Sequence, residues 1–271
     1  MQRIWNFRFD RHGSTQHYRL FRRECRALLV LFPALRALGQ NNVQYYNRLT
    51  LFDDLPCSRL YIADPVLTRQ SYPRGSWFQG TRQHFALPAV ARDIQAICEE
   101  FRFDETRVVG YGSSMGGFAA LGLGAFLPHL RILAEAPQTE LRDYEVRKDT
   151  DAMALACYGV ASVDEIPAEF DHRLSIARLW RRHGVALDAT IAVKRSDLHH
   201  VQAHLEPLLA ARDVAGKVTA ELMEDFGTPG HTPLPHDWLE TRLAEMLERP
   251  APGRIKALSA SFFRSSRAEA P

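Results

Sequence analysis

Lysine is scarce in this chain. Of 34 basic residues only Lys148, Lys194, Lys217 and Lys256 are not arginine, a bias that points to no particular function. Long apolar runs are missing as well. The best, Ala27 to Phe32, is far short of the roughly 20 residues that span a bilayer. It also lies too far into the chain for a signal peptide, so a cytoplasmic protein without a membrane span is expected. The four cysteines, Cys25, Cys57, Cys98 and Cys157, form no CxxC pair, which argues against a structural zinc site and predicts buried free thiols. Charge of one sign is not in excess: the net formal charge is +2, which argues against nucleic acid as the main partner. Repeats and low-complexity tracts are lacking. Gly110-Tyr-Gly-Ser-Ser has no G-x-G-x-x-G continuation with an acidic residue about 20 positions on, so a dinucleotide site is not expected.

What is present suits one globular core. The chain has 271 residues, 46% apolar and 24% charged. Its ends are basic. Residues 1–26 carry seven arginines against Asp10 and Glu24, and the segment 249–271 carries Arg249, Arg254, Lys256, Arg264 and Arg267 against Glu269. Such runs usually face solvent. Residues 249–271, rich in Pro, Ser and Ala, read as a loosely ordered tail on which Phe262-Phe263 is the one docking feature.

Strand and helix signals alternate between these ends. Ile4–Phe9 and Tyr18–Phe21 read as two short strands about a turn at His12-Gly13-Ser14. Residues 27–32, 59–63, 107–111, 131–134, 189–193 and 218–223 read as further strands, several apolar throughout, as strands buried on both faces are. Helical spacing covers 88–101, 118–126, 201–211 and 238–247. This pattern predicts a mostly parallel sheet with helices on both faces. Residues 138–188 break the alternation and read as an insertion over one end of the sheet within a 1–248 domain.

Gly112-Ser113-Ser114-Met115-Gly116 matches G-x-S-x-G between a strand and a small-residue helix. In that setting the chain turns sharply and exposes a nucleophile at the helix N-terminus, where amides and dipole favour negative charge. Ser114 fits; Ser113, flanked at two positions by Tyr111 and Met115, fits poorly. A serine needs a base, and the base an orienting acid. Asp197 follows strand 189–193 at its carboxyl end, whereas Asp188 lies at the wrong end. His231 lies in the glycine-rich loop after strand 218–223, with His236 as the second choice. Met115 should give one oxyanion amide. Because Pro33 has no N–H, the other falls to Ala34 or Leu35, with Ala34 preferred. His199 and His200 flank the acid, and His200 with Trp77, Phe78 and Tyr72 are candidates to line the substrate pocket. Tyr158, Phe170 and Trp180 of the insertion are aromatic candidates too, with core packing as the alternative. Arg142, Arg147 and Lys148 are candidates to read an anionic substrate, with surface charge the default.

On these residues the chain resembles the α/β-hydrolase superfamily over about 27–248, with 138–188 where members carry a helical lid. Gly112-Ser-Ser-Met-Gly-Gly-Phe-Ala-Ala-Leu121 looks like the elbow of bacterial esterases and acyl-transferring relatives. Ala136-Pro137-Gln138, with Asp197 and His231, is similar to bacterial members linked to surface-glycan metabolism. No HGGG motif of the lipase type is present. The resemblance implies a Ser-His-Asp hydrolase of esters or thioesters working through an acyl-enzyme, without cofactor or metal, on a small-molecule or glycan-linked acyl ester. An acyltransferase with the same triad and a non-catalytic binding module on the same fold are the alternatives.

Overall fold

The computed structural model describes residues 3–11, 14–37, 39–40, 45–67, 73–186, 188–253 and 255. Eight strands form one sheet in the order β1-β2-β4-β3-β5-β6-β7-β8. They are β1 (Arg3–Arg11), β2 (Ser14–Arg22), β3 (Leu28–Phe32), β4 (Ser58–Ile62), β5 (Val108–Ser113), β6 (Arg131–Glu135), β7 (Ala189–Lys194) and β8 (Val218–Met223). From β4 onward every neighbouring pair is parallel, and β1 and β2 are added antiparallel at one edge. The first two strands are longer than their apolar alternation suggests. Backbone pairing from Arg3↔Arg22 to Arg11↔Ser14 carries them past the apolar stretch. Residues 12 and 13 of the expected turn lie outside the described residues.

Alternate residues of the central strands feed two cores. Leu28, Val30, Val108, Ile132 and Ile191 face one side, and Leu29, Leu31, Val109, Leu133 and Ala192 face the other. On the first side pack α1 (Leu87–Glu100), α2 (Met115–Leu123) and α5 (Ile176–His183). On the second, α8 (His236–Glu248) lays Leu239, Leu243 and Leu247 on the sheet, joined by Phe52 and Leu55. Helices therefore cover both faces, as the apolar strands require.

Between β6 and β7 the chain forms α3 (Arg147–Tyr158), α4 (Asp171–Leu174) and α5. Trp180 of α5 is fully buried and donates from Nε1 to the Leu121 carbonyl of α2 at 3.1 Å. The second half of 138–188 is thus part of the core, and Trp180 is core and not a pocket aromatic. Tyr158 is buried as well, bonding Gln79 Oε1 at 2.7 Å.

The helix expected over 201–211 is divided. A π-helical turn, His200–Leu205, precedes α6 (Glu206–Ala210) and α7 (Arg212–Ala215). Pro207 cannot donate, and its ring presses on the carbonyl four residues back, at Ala203; a wider turn relieves both. Among the described residues no helix is long and apolar enough to cross a membrane. All four cysteines are free, Cys25 partly exposed and the others buried.

Candidate active site

β5 ends at Ser113, and α2 begins at Met115, three residues earlier than the apolar spacing suggests. The whole reversal falls on Ser114, at φ 53° and ψ −117°. That left-handed backbone is strained for a residue with a Cβ. Backbone bonds hold it: Ser114 N donates to the Glu135 carbonyl at 2.8 Å and Phe118 N to the Ser114 carbonyl at 3.1 Å. The glycines have steric reasons. A Cβ on Gly112 would meet the Gly116 carbonyl oxygen at 2.1 Å, and one on Gly116 would meet the Phe32 carbonyl oxygen at 2.7 Å. The helix thereby presses on the end of β3 and the loop after it.

Asp197 and His231 reach this turn from the carboxyl ends of β7 and β8. His231 Nε2 lies 3.3 Å from Ser114 Oγ, and its Nδ1 lies 2.8 Å from Asp197 Oδ2. The loop bearing His231 is fastened from β7. Lys194, buried at 2% exposure, donates from Nζ to the Thr228 carbonyl at 2.7 Å and to Thr232 Oγ1. Ser196 Oγ accepts from Gly230 N at 2.7 Å. His236 opens α8, bonds the Leu51 carbonyl and faces Glu240, so the structure keeps it away from Ser114.

Ala34 and Leu35 both border the cavity in front of Ser114, and Met115 is the first residue of α2. Among the described residues no hydrogen bond occupies the amides of Ala34 or Leu35. Their loop is pinned by two bonds to one residue: Arg36 N donates to the Arg74 carbonyl at 3.0 Å, and Arg74 Nε to the Arg36 carbonyl at 2.7 Å. The cavity measures about 360 Å³. Two ion pairs stand in its wall, Arg48 with Glu135 at 2.7 Å and Arg74 with Asp149 at 2.9 Å. Tyr144, Asn47 and Thr232 add polar groups.

The expected pocket residues are placed differently. Trp77 and Phe78 are fully buried and belong to the core, so neither borders the cavity. Their positive φ values, 48° and 57°, come from a turn wrapped on buried Asp64. That carboxylate accepts from Ser76 N at 2.7 Å, Ser76 Oγ at 2.5 Å and Val66 N at 3.0 Å. Tyr72 lies outside the described residues. His200 is also buried, behind His231, its ring stacked on that imidazole at 4.1 Å and 7°. His199 Nε2 accepts from Glu145 N at 3.2 Å. Arg142 and Arg147 form surface pairs with Asp171 and Asp164. Phe170 lies in the cover of Tyr158 and under the guanidinium of Arg173.

Gln138, which the sequence offers only as part of the Ala136-Pro137-Gln138 run and without a role, is a direct neighbour of Ser114. Its Nε2 is 3.0 Å from Ser114 Oγ and 3.0 Å from His200 Nε2, and its Oε1 accepts from Trp77 Nε1 at 3.0 Å. The signal was its position just past the carboxyl end of β6, the sheet edge that also carries Ser114, Asp197 and His231. Asp197 is shared, its Oδ1 lying 2.9 Å from His200 Nδ1. Burial pushes the Asp197 carboxyl up, but the hydrogen bonds and charge of His200 and His231 outweigh it and hold it well below the usual range. Burial pushes His200 down, helped by the charge of His231 against the opposing bond to Asp197. Asp197, His200 and His231 offer ligand atoms within 4.8 Å of one another, a set that could take a divalent metal. Hydrogen bonding already accounts for the cluster, because both imidazole Nδ1 atoms face the two carboxylate oxygens.

No protein-family model and no curated protein matches this chain in sequence. Solved structures do match in shape. The capsule O-acetyltransferase of Neisseria meningitidis serogroup A superposes with a TM-score of 0.67 at 18% identity, over 89% of this chain and 94% of that one. An S-formylglutathione hydrolase from Agrobacterium tumefaciens gives 0.59 at 15%, over 93% and 96%. Acetyl xylan esterase 1 from a Thermoanaerobacterium species gives 0.60 at 14%, over 91% and 83%. The chain has the α/β-hydrolase fold.

Proposed function

We propose that this chain is a serine hydrolase of a carboxylic ester or thioester. The observation that carries the reading is the aligned set Ser114 Oγ, His231 and Asp197, with spacings of 3.3 Å and 2.8 Å, opening on a cavity. A serine hydroxyl at neutral pH is a weak nucleophile, and an adjacent imidazole oriented by a carboxylate is what activates it. Ser114 Oγ attacks the carbonyl carbon while His231 Nε2 takes its proton. The tetrahedral oxyanion is held by the Met115 amide, strengthened by the start of α2, and by the Ala34 amide. His231 then gives the proton to the leaving oxygen or sulfur. Water, deprotonated by the same imidazole, releases the acid. Asp197 stays ionised throughout and steadies the imidazolium. The mixed polar and apolar wall of a cavity of about 360 Å³ suits a short acyl group on a polar carrier.

A second reading is transfer of the acyl group to an acceptor hydroxyl. It is favoured by the likeness to a capsule O-acetyltransferase, one structure of which is a mutant in complex with CoA. Labelling with an alkyl fluorophosphonate, read by intact mass, tests the common core of both. One adduct is expected on the wild type and none on Ser114→Ala or His231→Ala. A folded wild type that stays unlabelled removes both readings and leaves a binding module. Adding sugar acceptors during turnover of a short-chain ester then separates free acid from acylated acceptor.

A further inference from the structure

The donors around Ser114 permit one arrangement. The Trp77 indole can only donate, so the Gln138 atom facing it at 3.0 Å is the carbonyl oxygen. The Gln138 amide nitrogen therefore faces Ser114 Oγ and His200 Nε2 and donates one N–H to each. His200 Nε2 must then carry a lone pair, and its proton sits on Nδ1, toward Asp197 Oδ1. Two chains thus leave one carboxylate and meet on one serine oxygen. The first runs through His231. The second runs through His200 and Gln138. Because the Gln138 N–H fills an acceptor position on Oγ, the hydroxyl proton is directed at His231 Nε2.

We propose that His200 and Gln138 are positioning residues for the acyl-transfer step, a second arm from Asp197 to Ser114 that aims the serine proton at His231 and works only while His200 is neutral. The inference rests on the serine-nucleophile reading above. It follows from the geometry that protonating His200 is doubly disruptive. A proton on Nε2 would oppose the Gln138 N–H, and a cation would lie face to face with His231 at 4.1 Å, where the reaction itself must build an imidazolium. The titratable groups facing His200 among the described residues are Asp197 and His231 on its two sides, His199 and His204 of its own turn with rings at 5.6 Å and 5.2 Å, and Tyr144 at 6.4 Å. Asp197 alone of these favours the charged form; burial and the neighbouring imidazoles oppose it.

The test is the rate and pH profile of fluorophosphonate labelling of the full chain, with saturation separating the bond-forming rate constant from reversible probe affinity. Gln138→Leu and His200→Phe are expected to lower the bond-forming constant by about 10–100-fold while leaving affinity unchanged, because they loosen the alignment of reacting atoms. Gln138→Glu is the decisive variant. A carboxylate opposite His200 Nε2 stabilises the imidazolium, so the acid limb of the profile should move up by about one pH unit or more. Folded variants that label within about twofold of wild type, with an unmoved acid limb, overturn the inference and leave the serine reading intact. A folded wild type that does not label overturns both. Histidine-selective nitrogen NMR of the wild type needs no variant: His200 should show a protonated Nδ1 and a bare Nε2, and the opposite tautomer overturns the second arm.

Discussion

Asp197 serves two imidazoles with its two oxygens, and that sets what a single substitution there does. An asparagine keeps one acceptor oxygen and turns its amide toward the other ring, so one of the two Nδ1–H groups must face a donor. Asp197→Asn is therefore expected to lower the fluorophosphonate labelling rate by about 1,000–10,000-fold, the scale seen when a triad imidazole is held in the wrong tautomer. The melting temperature should fall as well, since either outcome leaves a buried N–H unpaired. Equal labelling rates for Asp197→Asn and wild type would exclude the acid role proposed for Asp197. At this scale the positions of Ser114, Asp197 and His231, which the structure brings together, were legible, because each lies beyond the carboxyl end of a strand the sequence pattern locates. His200 was singled out only as a pocket residue and Gln138 only within the Ala136-Pro137-Gln138 run; the contacts they make were not legible. Their roles depend on a tryptophan, at position 77, brought in from a different loop.

At the level of elements, the site hangs on how loops are tied to strand ends. Lys194 lies beneath the His231 loop, and its ammonium holds Thr228 and Thr232. Lys194→Met keeps the apolar stem and removes the three donors. It should leave the sheet folded but let His231 drift, with a loss of up to about 100-fold in labelling rate, the order that a 1 Å misplacement causes. An unchanged rate would show that the loop is set by Ser196 and its own glycines. The contact between α2 and the β3 loop is less forgiving. Gly116→Ala puts a Cβ within 2.7 Å of one backbone carbonyl oxygen and 2.9 Å of the next, at Pro33. Neither atom is a flexible side-chain end, so a lower melting temperature and impaired labelling are expected together; scanning calorimetry beside mass spectrometry checks both. The strand-helix alternation located all eight strands, though not the full length of β1 and β2 or the order in which the strands pair. In the 138–188 stretch the helical spacing around Ile176 to Trp180 was readable and is α5, whereas α3 and α4 were not picked out.

For the whole molecule, the histidines set the response to acid. Burial lowers His172 and His183 to about 4 and His204 to about 3, and it lowers His200 as well. In the unfolded chain all four take up protons near the usual pH of about 6.5. Between that value and the native ones the unfolded state binds more protons, so stability rises with pH and falls on acidification. Asp197, held low in the native state, adds a further loss as pH drops below the ordinary carboxylate range. Burial raises the carboxyls of Asp64, Glu140 and Asp149, which offsets part of this loss, so melting temperature is expected to decline from pH 7 to pH 4 less than the rings alone would give, and a melting temperature that rises over that interval would contradict the reading. The cysteines carry a different consequence. Cys57 belongs to the core on one face of the sheet, and Cys98 of α1 and Cys157 of α3 to the core on the other, all buried, while Cys25 alone is partly open. A thiol-reactive dye should therefore mark one position on the native protein. The order in which the other three become reactive during slow opening would time the release of each layer, so the chain carries its own set of clocks for how it comes apart.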